Sequence, residues 1–250
     1  MGNFSTTLVK DKLALLPAIR KVIRSAWPEF MLQDPIGSKY WNDLYEAFPE
    51  FQVVIVDEQT CQVVAVANTA PVSWNEAPKS LPDRGWDWAL EHSILGEKNN
   101  ATPNLLCGLA VSIAPPHRGK GIGSVITLAM KTKAGQHGLN GLIVPVRPSL
   151  KSRYPLIDMG MYVRWRNHDD LPFDPWLRVH VRHGAEILNV CSESMRITGT
   201  IAQWESWTGM AFPESGAYVI PDALVPIVVD YNTSEAAYVE PNVWVIHRIK

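Results

Sequence analysis

An unbroken apolar run, residues 105–111, stands near the middle of the chain. Its small and branched side chains predict a buried strand that extends to residue 113. Two prolines, Pro115 and Pro116, mark the turn that follows. From about residue 121 to residue 137 the apolar side chains recur at helical spacing, which predicts a helix with one apolar face. The middle of the chain is therefore expected to form a strand, a turn and a long helix.

The same two spacings predict elements on either side of this unit. Strands are expected at residues 4–8, 51–56, 61–68, 141–146, 185–190, 194–202, 223–229 and 243–249, and helices at residues 11–26, 40–47 and 174–184. Residues 70–100 differ, because three prolines precede a short helical pattern around Trp86. An insertion of this length is typical of a lid or a binding loop. The alternative is a surface segment without a binding role, whose own tryptophans pack against one another.

Composition narrows the classes of protein that this pattern allows. A chain of 250 residues can bury the core of one large domain, expected to span residues 1–250 with an insertion at about residues 70–100. The net charge of −2 argues against nucleic acid or an anionic membrane as a general partner. The cysteines are widely spaced and odd in number, which favours a reducing cytoplasm over a disulfide framework, and they show no metal-ligand spacing. No apolar run approaches the ~20 residues of a membrane span.

Between the predicted strand and helix lies a turn rich in glycine and cations, formed by Arg118, Gly119, Lys120, Gly121, Ile122, Gly123 and Ser124. Such a turn exposes several backbone N–H groups at the positive end of the helix dipole, where they can bind phosphate. Glycine lets a phosphate oxygen approach the backbone, and the two basic side chains add positive charge. The turn lacks both the lysine that follows the last glycine of a Walker loop and the third glycine of a dinucleotide fingerprint. A glycine-rich turn without a ligand is the alternative interpretation.

This turn resembles the acyl-CoA pyrophosphate loop of the GNAT acetyltransferase superfamily, Arg/Gln-x-x-Gly-x-Gly/Ala, through Arg118, Gly121 and Gly123. The resemblance implies an α+β (mixed α/β) fold, with a mostly antiparallel central sheet flanked by helices and one parallel strand pair that splays apart. It also implies that a coenzyme A thioester, either acetyl-CoA or malonyl-CoA, is bound as substrate without a metal. The cofactor-binding residues that it implies, besides those of the turn, are Leu109, Ala110 and Val111.

The helix predicted at residues 174–184 carries a candidate for the general acid of the reaction. In ordinary GNAT enzymes it carries Tyr-x-x-x-Gly-Phe, whose tyrosine faces the CoA sulfur as a general acid, whereas this sequence has His180 at that place. An imidazole can donate a hydrogen bond or carry a proton near neutral pH, and the alternative is a histidine that only caps or packs on its helix. The central strands, residues 61–68 and 105–113, contain no Asp, Glu or His. This absence lowers the expectation of a base for N-acetylation.

Nearly the whole chain resembles one branch of the superfamily, the GNAT-like domains in polyketide synthase loading modules of the curacin type, through segments such as PVRPS, DPWLRVHVRHGA and SMRITGT. The resemblance implies decarboxylation of malonyl-CoA and transfer of the acetyl group to the phosphopantetheine thiol of an acyl carrier protein. The branch residues that polarise the substrate fall on His180 and Ser149, where the branch has Thr at the second position. A serine keeps the hydroxyl but loses a methyl that restricts its rotamer. The residues expected to contact the substrate are Trp27, Trp86 and Arg147.

Three functions are open at this point. Foremost is malonyl-CoA decarboxylation with S-acetyl transfer to an acyl carrier protein, in which His180 and Ser149 donate hydrogen bonds to the developing enolate oxygen. The second is N-acetyl transfer from acetyl-CoA to an amine of a small molecule or a protein. The third is a non-catalytic acyl-CoA-binding module, and the number of polar groups expected around the sulfur argues against it.

Overall fold

Nine strands join in one sheet in the computed structural model, which describes residues 4–249. They are β1 (Phe4–Leu8), β2 (Val53–Asp57), β3 (Gln62–Val72), β4 (Leu105–Ile113), β5 (Gly141–Val146), β6 (Glu186–Thr200), β7 (Gly216–Tyr218), β8 (Ile227–Asp230) and β9 (Glu235–Arg248). The order across the sheet is β1-β2-β3-β4-β5-β9-β8-β7, and β6 also pairs with β9. Branched apolar residues fill the central strands, which suits their pleated and buried surfaces.

The parallel pair of β4 and β5 is the exception in a sheet whose other strand pairs are antiparallel. These two strands pair only at Leu106–Leu142 and Cys107–Ile143, and beyond those positions they separate. The opening lies at the carboxyl ends of both strands, beside the turn that enters the long helix. The predicted fold, mostly antiparallel with one splayed parallel pair, is confirmed.

Helices cover both faces of this sheet. Those described are α1 (Leu16–Ala26), α2 (Pro35–Tyr40), α3 (Asp43–Ala47), α4 (Gly85–Lys98), α5 (Ile122–Gln136), α6 (Met159–Val163), α7 (Pro175–Arg182) and α8 (Ile201–Thr208). α5 and α7 lie on one face, where His180 of α7 bonds to His247 of β9. α1 and α4 lie on the other face, where Trp88 of α4 packs edge-on against Trp244 of β9. Within residues 4–249, no helix combines the length and the apolar surface that crossing a bilayer requires.

The segment predicted as an inserted loop, residues 70–100, is more regular than its prolines suggest. β3 continues to Val72, and α4 has 14 residues where the sequence indicates a short helical piece. α4 packs against β3, β6 and α2 at once, so its buried side chains occupy more than one face. A helix buried on several sides lacks the single apolar stripe by which an amphipathic helix is recognised from sequence.

Two predicted helices near the N-terminus are divided. The predicted helix 11–26 begins as short 3-10 turns, and α1 starts only at Leu16, with Pro17 in its first turn. Proline is favourable there because the N–H groups of the first helical turn have no acceptor within the helix, so a residue without an N–H group loses no hydrogen bond. The predicted helix 40–47 is replaced by α2 and α3, which a short turn separates.

The predicted strands near the C-terminus are longer or shorter than expected. The strands expected at residues 185–190 and 194–202 form one strand, β6, whose register against β9 shifts twice. β6 ends at Thr200, which begins α8 through a reciprocal capping box with Gln203. The strand expected at residues 223–229 is present only as the short β8, and α6 and β7 were not predicted.

Candidate active site

The glycine-rich turn enters α5 with its backbone open to solvent. Gly119 and Gly121 have φ angles of 76° and 80°, in the left-handed region, and a first side-chain atom at either would meet no other described residue within 4 Å. The N–H groups of residues 119–123 have no hydrogen-bond acceptor among residues 4–249, whereas the Ser124 N–H bonds to the Gly121 carbonyl (3.0 Å). These free groups stand at the positive end of the α5 dipole, beside the exposed Lys120, and can bind a pyrophosphate.

Contacts from both faces of the sheet hold this turn in place. The Arg118 guanidinium donates to the carbonyls of Ile113 and of the last residue of α1, both at 3.3 Å. Ile122 is buried beneath the turn. Gly123 faces the ring of Trp176 so closely that a Cβ there would lie 3.1 Å from it, which lets α7 pack directly on the start of α5. The predicted phosphate loop is therefore fixed by α1 on one side and by α7 on the other.

A β-bulge in β4 lies beside the opening between β4 and β5. The register against β3 shifts there, so that Leu109 stands between paired residues without a partner of its own. Its carbonyl accepts a hydrogen bond of 2.7 Å from Trp86 Nε1 of α4. Ala110 and Val111 follow on the part of β4 that has left β5. The pantetheine chain of a CoA thioester can lie along this part of the strand.

Trp27 and Trp86 flank the same part of β4 on the face that carries α1 and α4. Trp27 Nε1 donates to Ser112 Oγ at 2.8 Å, and the guanidinium of Arg147 lies 6.0 Å from the centre of the Trp27 ring. The structure thus places the three residues predicted to contact the substrate along one side of the opening. The turn predicted to bind phosphate begins α5, which lies with α7 on the opposite face of the sheet.

Arg147 is bound by a buried acid that no sequence pattern indicated. Its Nε lies 2.9 and 3.0 Å from the two carboxylate oxygens of Glu240, near the middle of β9. Tyr238 Oη (2.7 Å) and Asn242 Nδ2 (2.9 Å) also donate to Glu240. Burial alone would lower the pKa of Arg147, but the Glu240 carboxylate outweighs burial and raises it. Arg147 therefore stays charged and forms a fixed wall of the site.

His180 points from α7 into the sheet. It is fully buried, and its Nδ1 lies 2.9 Å from Nε2 of His247, which no sequence pattern indicated either. Burial lowers the pKa of His180 to about 3 and that of His247 to about 4, so both imidazoles are neutral near pH 7. Nε2 of His180 has no partner among residues 4–249. The tautomer that His247 imposes decides whether this nitrogen donates or accepts a hydrogen bond.

Ser149 lies at the opposite end of α7 from His180. It is exposed, and its Oγ is 3.5 Å from both carboxylate oxygens of Asp174, the N-cap of α7. His180 is in the last turn of the same helix, about 9 Å further along the axis. Ser149 therefore lies near the start of α7 and His180 near its end, and the catalytic roles of both residues stay predictions.

A pair of buried carboxyl groups lies beside Trp86. Asp34 accepts from the N–H of Gly37 (2.6 Å), a residue that also faces the Trp86 ring, and Asp87 accepts from the N–H of Arg196 (3.2 Å). The other oxygen of each carboxyl receives no donor from residues 4–249, so the two groups can satisfy each other only by sharing a proton. Burial raises the pKa of Asp34 to about 6 and that of Asp87 to about 8. The pair therefore holds a proton near neutral pH.

The sequence held only weak signals for these acids. Asp34 precedes Pro35, a pattern typical of a helix N-cap, and it does begin α2. Asp87 stands between two tryptophans, and Glu240 lies in a segment for which no strand was predicted. Spacing along the chain does not indicate which of these carboxyl groups the fold will bury.

No protein-family model matches this chain. The loading GNATL domain of CurA from Lyngbya majuscula has a similar fold, with a TM-score of 0.62, 16% sequence identity and coverage of 98% of both chains. The GphF GNAT-like decarboxylase in complex with isobutyryl-CoA gives a TM-score of 0.60 at 16% identity, over 99% of this chain and 100% of that one. The arginine N-acetyltransferase avaD of Aspergillus versicolor is 36% identical over 254 residues, which cover 90% of this chain and 86% of the relative. The chain belongs to the GNAT acetyltransferase family.

As a GNAT protein, the chain is an acyl-CoA-dependent acetyltransferase. The resemblance carried by the turn before α5 is confirmed at the level of family and fold. The free N–H groups of that turn fit the pyrophosphate of CoA, and the separated strands fit its pantetheine. In the part of the chain that the structure describes, no three His, Cys, Asp or Glu side chains are arranged to hold a metal ion.

Proposed function

We propose that this GNAT protein transfers the acetyl group of acetyl-CoA to a nitrogen atom of arginine, or of a small molecule that contains an arginine side chain. The observation that carries the proposal is the 36% identity with an arginine N-acetyltransferase over 90% of the chain. The geometry supports it, because the phosphate loop and an acceptor side rich in aromatic and acidic groups meet at the β4 bulge from opposite faces of the sheet.

The donor side of the reaction follows from the turn before α5. The free N–H groups of residues 119–123 bind the pyrophosphate of acetyl-CoA, and its pantetheine lies between β4 and β5. The thioester then reaches the bulge at Leu109. The Leu109 carbonyl already accepts a hydrogen bond from Trp86, so it does not require a hydrogen-bond donor from the substrate.

The acceptor nitrogen approaches from the other face, between Trp27 and Trp86. It attacks the thioester carbonyl, the C–N bond forms, the C–S bond breaks, and CoA leaves as a thiolate that takes up a proton. The nitrogen loses a proton in the same reaction. Neither β3 nor β4 carries an Asp, Glu or His side chain, so the proton passes to a group outside these strands or to water.

A second candidate function is the one implied by the polyketide synthase branch, namely malonyl-CoA decarboxylation with S-acetyl transfer to an acyl carrier protein. The observation that favours it is the buried and neutral His180, whose Nε2 has no partner in residues 4–249. If Nε2 carries the proton, it can donate to the thioester oxygen while the C–C bond to the carboxylate breaks, carbon dioxide leaves and an enolate forms. Protonation of the enolate then gives the acetyl thioester.

Parallel incubations distinguish these functions. The protein is given acetyl-CoA or malonyl-CoA, each alone, with arginine, or with an acyl carrier protein that bears phosphopantetheine, and the products are identified by mass. We expect CoA release from acetyl-CoA that depends on arginine and yields acetylated arginine. Conversion of malonyl-CoA to acetyl-CoA or acetyl carrier protein, with no acetylation of arginine, would overturn the proposal in favour of the second function.

Ser149 offers a further discrimination, because its side chain is exposed and its replacement does not disturb the core. If arginine acetylation is the function, Ser149→Ala keeps kcat within a few-fold of the parent. If decarboxylation is the function, Ser149→Ala and His180→Ala each lower its rate by ~10²-fold, and Ser149→Thr keeps it because the hydroxyl remains.

A further inference from the structure

A pocket of about 240 Å³ opens on the acceptor face, next to Trp86 and away from the phosphate loop. Its wall is formed by Pro35, Ile36, Arg84, Asp87, Glu193 and Arg196. Asp87, in this wall, is 4% exposed, and its partner Asp34, which adjoins Pro35 but is not part of the wall, is 2% exposed. One oxygen of each carboxyl has no donor among residues 4–249. Buried polar atoms without partners are unfavourable unless a proton or a ligand satisfies them. The pocket therefore ends on an Asp87 carboxyl that can accept a hydrogen bond from a ligand that carries donors.

The charges around this pocket form ion pairs with one another rather than with the two carboxyl groups. Each arginine of the wall has a glutamate partner. Arg84 also acts on Asp87 as an opposite charge that lowers the pKa of Asp87, but burial outweighs it. The pairs are Arg84 with Glu91 at 3.1 Å and Arg196 with Glu193 at 3.3 Å. From the sheet side, Glu240 of β9 acts on Asp34 as a like charge, and Glu240 is itself bound by Arg147. No cation among the described residues is paired with Asp34 or Asp87.

We propose that this pocket binds the guanidinium group of the substrate, with the Asp87 carboxylate in its wall as the direct partner and the buried Asp34 carboxylate beside Asp87 adding negative charge. The inference rests on the proposed arginine-type substrate and assigns its recognition to named residues. A guanidinium presents a planar fork of N–H donors, which matches carboxylate oxygens that lack partners. Trp86 links the pocket to the acyl site, because its backbone adjoins Asp87 and its indole reaches the Leu109 carbonyl.

Binding of a guanidinium changes the protonation of the pair. The free pair holds a proton near neutral pH, since burial raises the pKa of both carboxyl groups. A bound guanidinium stabilises both carboxylates, so the shared proton is released to solvent. Affinity for arginine is therefore expected to weaken as the pH falls below about 8, where Asp87 takes up its proton, and more steeply below about 6, where Asp34 also does.

Steady-state kinetics of Asp87→Asn with arginine and with citrulline, its uncharged isostere, test the pocket. We expect Asp87→Asn to raise KM for arginine by ~10- to 100-fold, the loss typical of one charged hydrogen bond, with little change in kcat. The parent should use citrulline poorly, and the variant should use it no worse. Asp43→Asn is the matched control, because Asp43 is exposed on α3 and contacts Lys98 instead.

Calorimetry of arginine binding in two buffers of different ionisation enthalpy gives a second readout that needs no turnover. Release of close to one proton near pH 7, lost in Asp87→Asn or Asp34→Asn, supports the pocket. A parental KM for arginine in Asp87→Asn overturns it while leaving the proposed function intact, and so does arginine binding without proton release. If the parent acetylates no arginine-type substrate, the proposed function fails, and calorimetric binding of arginine that depends on Asp87 still supports the pocket.

Discussion

At the scale of single residues, burial determines the protonation states around the site. A buried group avoids its charged form, so burial lowers the pKa of His180 and raises the pKa of Asp87. The two groups lie on opposite faces of the sheet, where α7 covers one and α4 carries the other. As a result, an imidazole that would ordinarily titrate near neutral pH does not, and a carboxyl that would ordinarily be ionised does titrate there.

The neutrality of His180 can be observed directly. Because burial lowers its pKa to about 3, we expect its imidazole to stay neutral between about pH 5 and pH 8. Histidine C–H resonances recorded by NMR over this range should include one that does not shift and that is missing in His180→Gln. A resonance that titrates near pH 6.5 and disappears in His180→Gln would contradict this expectation.

The carboxyl pair predicts how stability depends on pH. Asp34 and Asp87 keep protons up to about pH 6 and pH 8 in the folded protein, whereas an aspartate in the unfolded chain ionises near 3.8. Their contribution to stability is full below pH ~4 and is lost as the pH rises through the pKa of about 8. We expect the Tm to fall by more than about 5 °C between about pH 5 and pH 9, since one pKa unit is worth ~1.4 kcal/mol.

Asp87→Asn separates this pair from the other titrating groups. An amide at position 87 can donate a hydrogen bond to Asp34 without titrating, so the fall in Tm should be at most half that of the parent. Asp43→Asn, on the surface, should follow the parent. Parallel Tm curves for the parent and Asp87→Asn would mean that the pair does not titrate in this range.

At the scale of elements, α5 has a left-handed glycine at each end. Gly121 precedes it with a φ of 80°, and Gly138 follows it with a φ of 67°, and a side chain at either would have free space. Alanine at either position therefore has the same backbone cost, about 1–2 kcal/mol. The two glycines differ in what they face, because only Gly121 belongs to the turn whose N–H groups are free.

This symmetry gives a matched pair of variants for the phosphate loop. Gly121→Ala should weaken CoA binding by at least ~10-fold, because a methyl group and an altered φ move the N–H groups away from the pyrophosphate. Gly138→Ala should lower the Tm similarly and leave CoA affinity unchanged. Calorimetric titration with CoA measures both. Equal affinity in the two variants would mean that the pyrophosphate does not bind at this turn.

At the scale of the whole molecule, β9 joins the parts of the sheet. β6 pairs with β9 along one edge, while β5 and β8 pair with the two ends of its other edge. Glu240 lies between those ends, where Arg147 reaches it from the exit of β5 and also donates to the Asp222 carbonyl (2.6 Å) before β8. One ion pair therefore connects β5, β9 and the segment before β8, and it also forms the wall behind Trp27.

The burial of this ion pair predicts a large loss of stability when it is broken. Glu240 is 0% exposed and Arg147 19%, so Glu240→Gln leaves a largely buried guanidinium without its counter-charge and should lower the free energy of unfolding by about 3–5 kcal/mol. Glu186→Gln is the control, since it breaks an exposed pair with Arg248 between β6 and β9, worth about 0–1 kcal/mol. Denaturant unfolding measures both. Similar losses would show that solvent screens the Glu240 pair.

The sequence was most informative where structure depends on near neighbours. The strand at residues 105–113 was predicted to the residue, and the turn at residues 118–124, predicted to bind phosphate, does lie between this strand and α5. Both depend on interactions within one turn of helix or one strand. α4 was largely missed, because a helix buried on several sides does not show the periodicity that marks a surface helix.

The sequence by itself determined the fold family and the position of the glycine-rich turn between β4 and α5, and it placed a histidine at position 180, where the resemblance implies a tyrosine in other members of the family. Only the tertiary structure decided that His180 is neutral and held by His247, that Ser149 lies at the far end of α7, and that two acids meet beside Trp86. The reason is physical. A motif records which groups a segment carries, whereas protonation and hydrogen bonding depend on burial and on partners that the fold brings from distant parts of the chain.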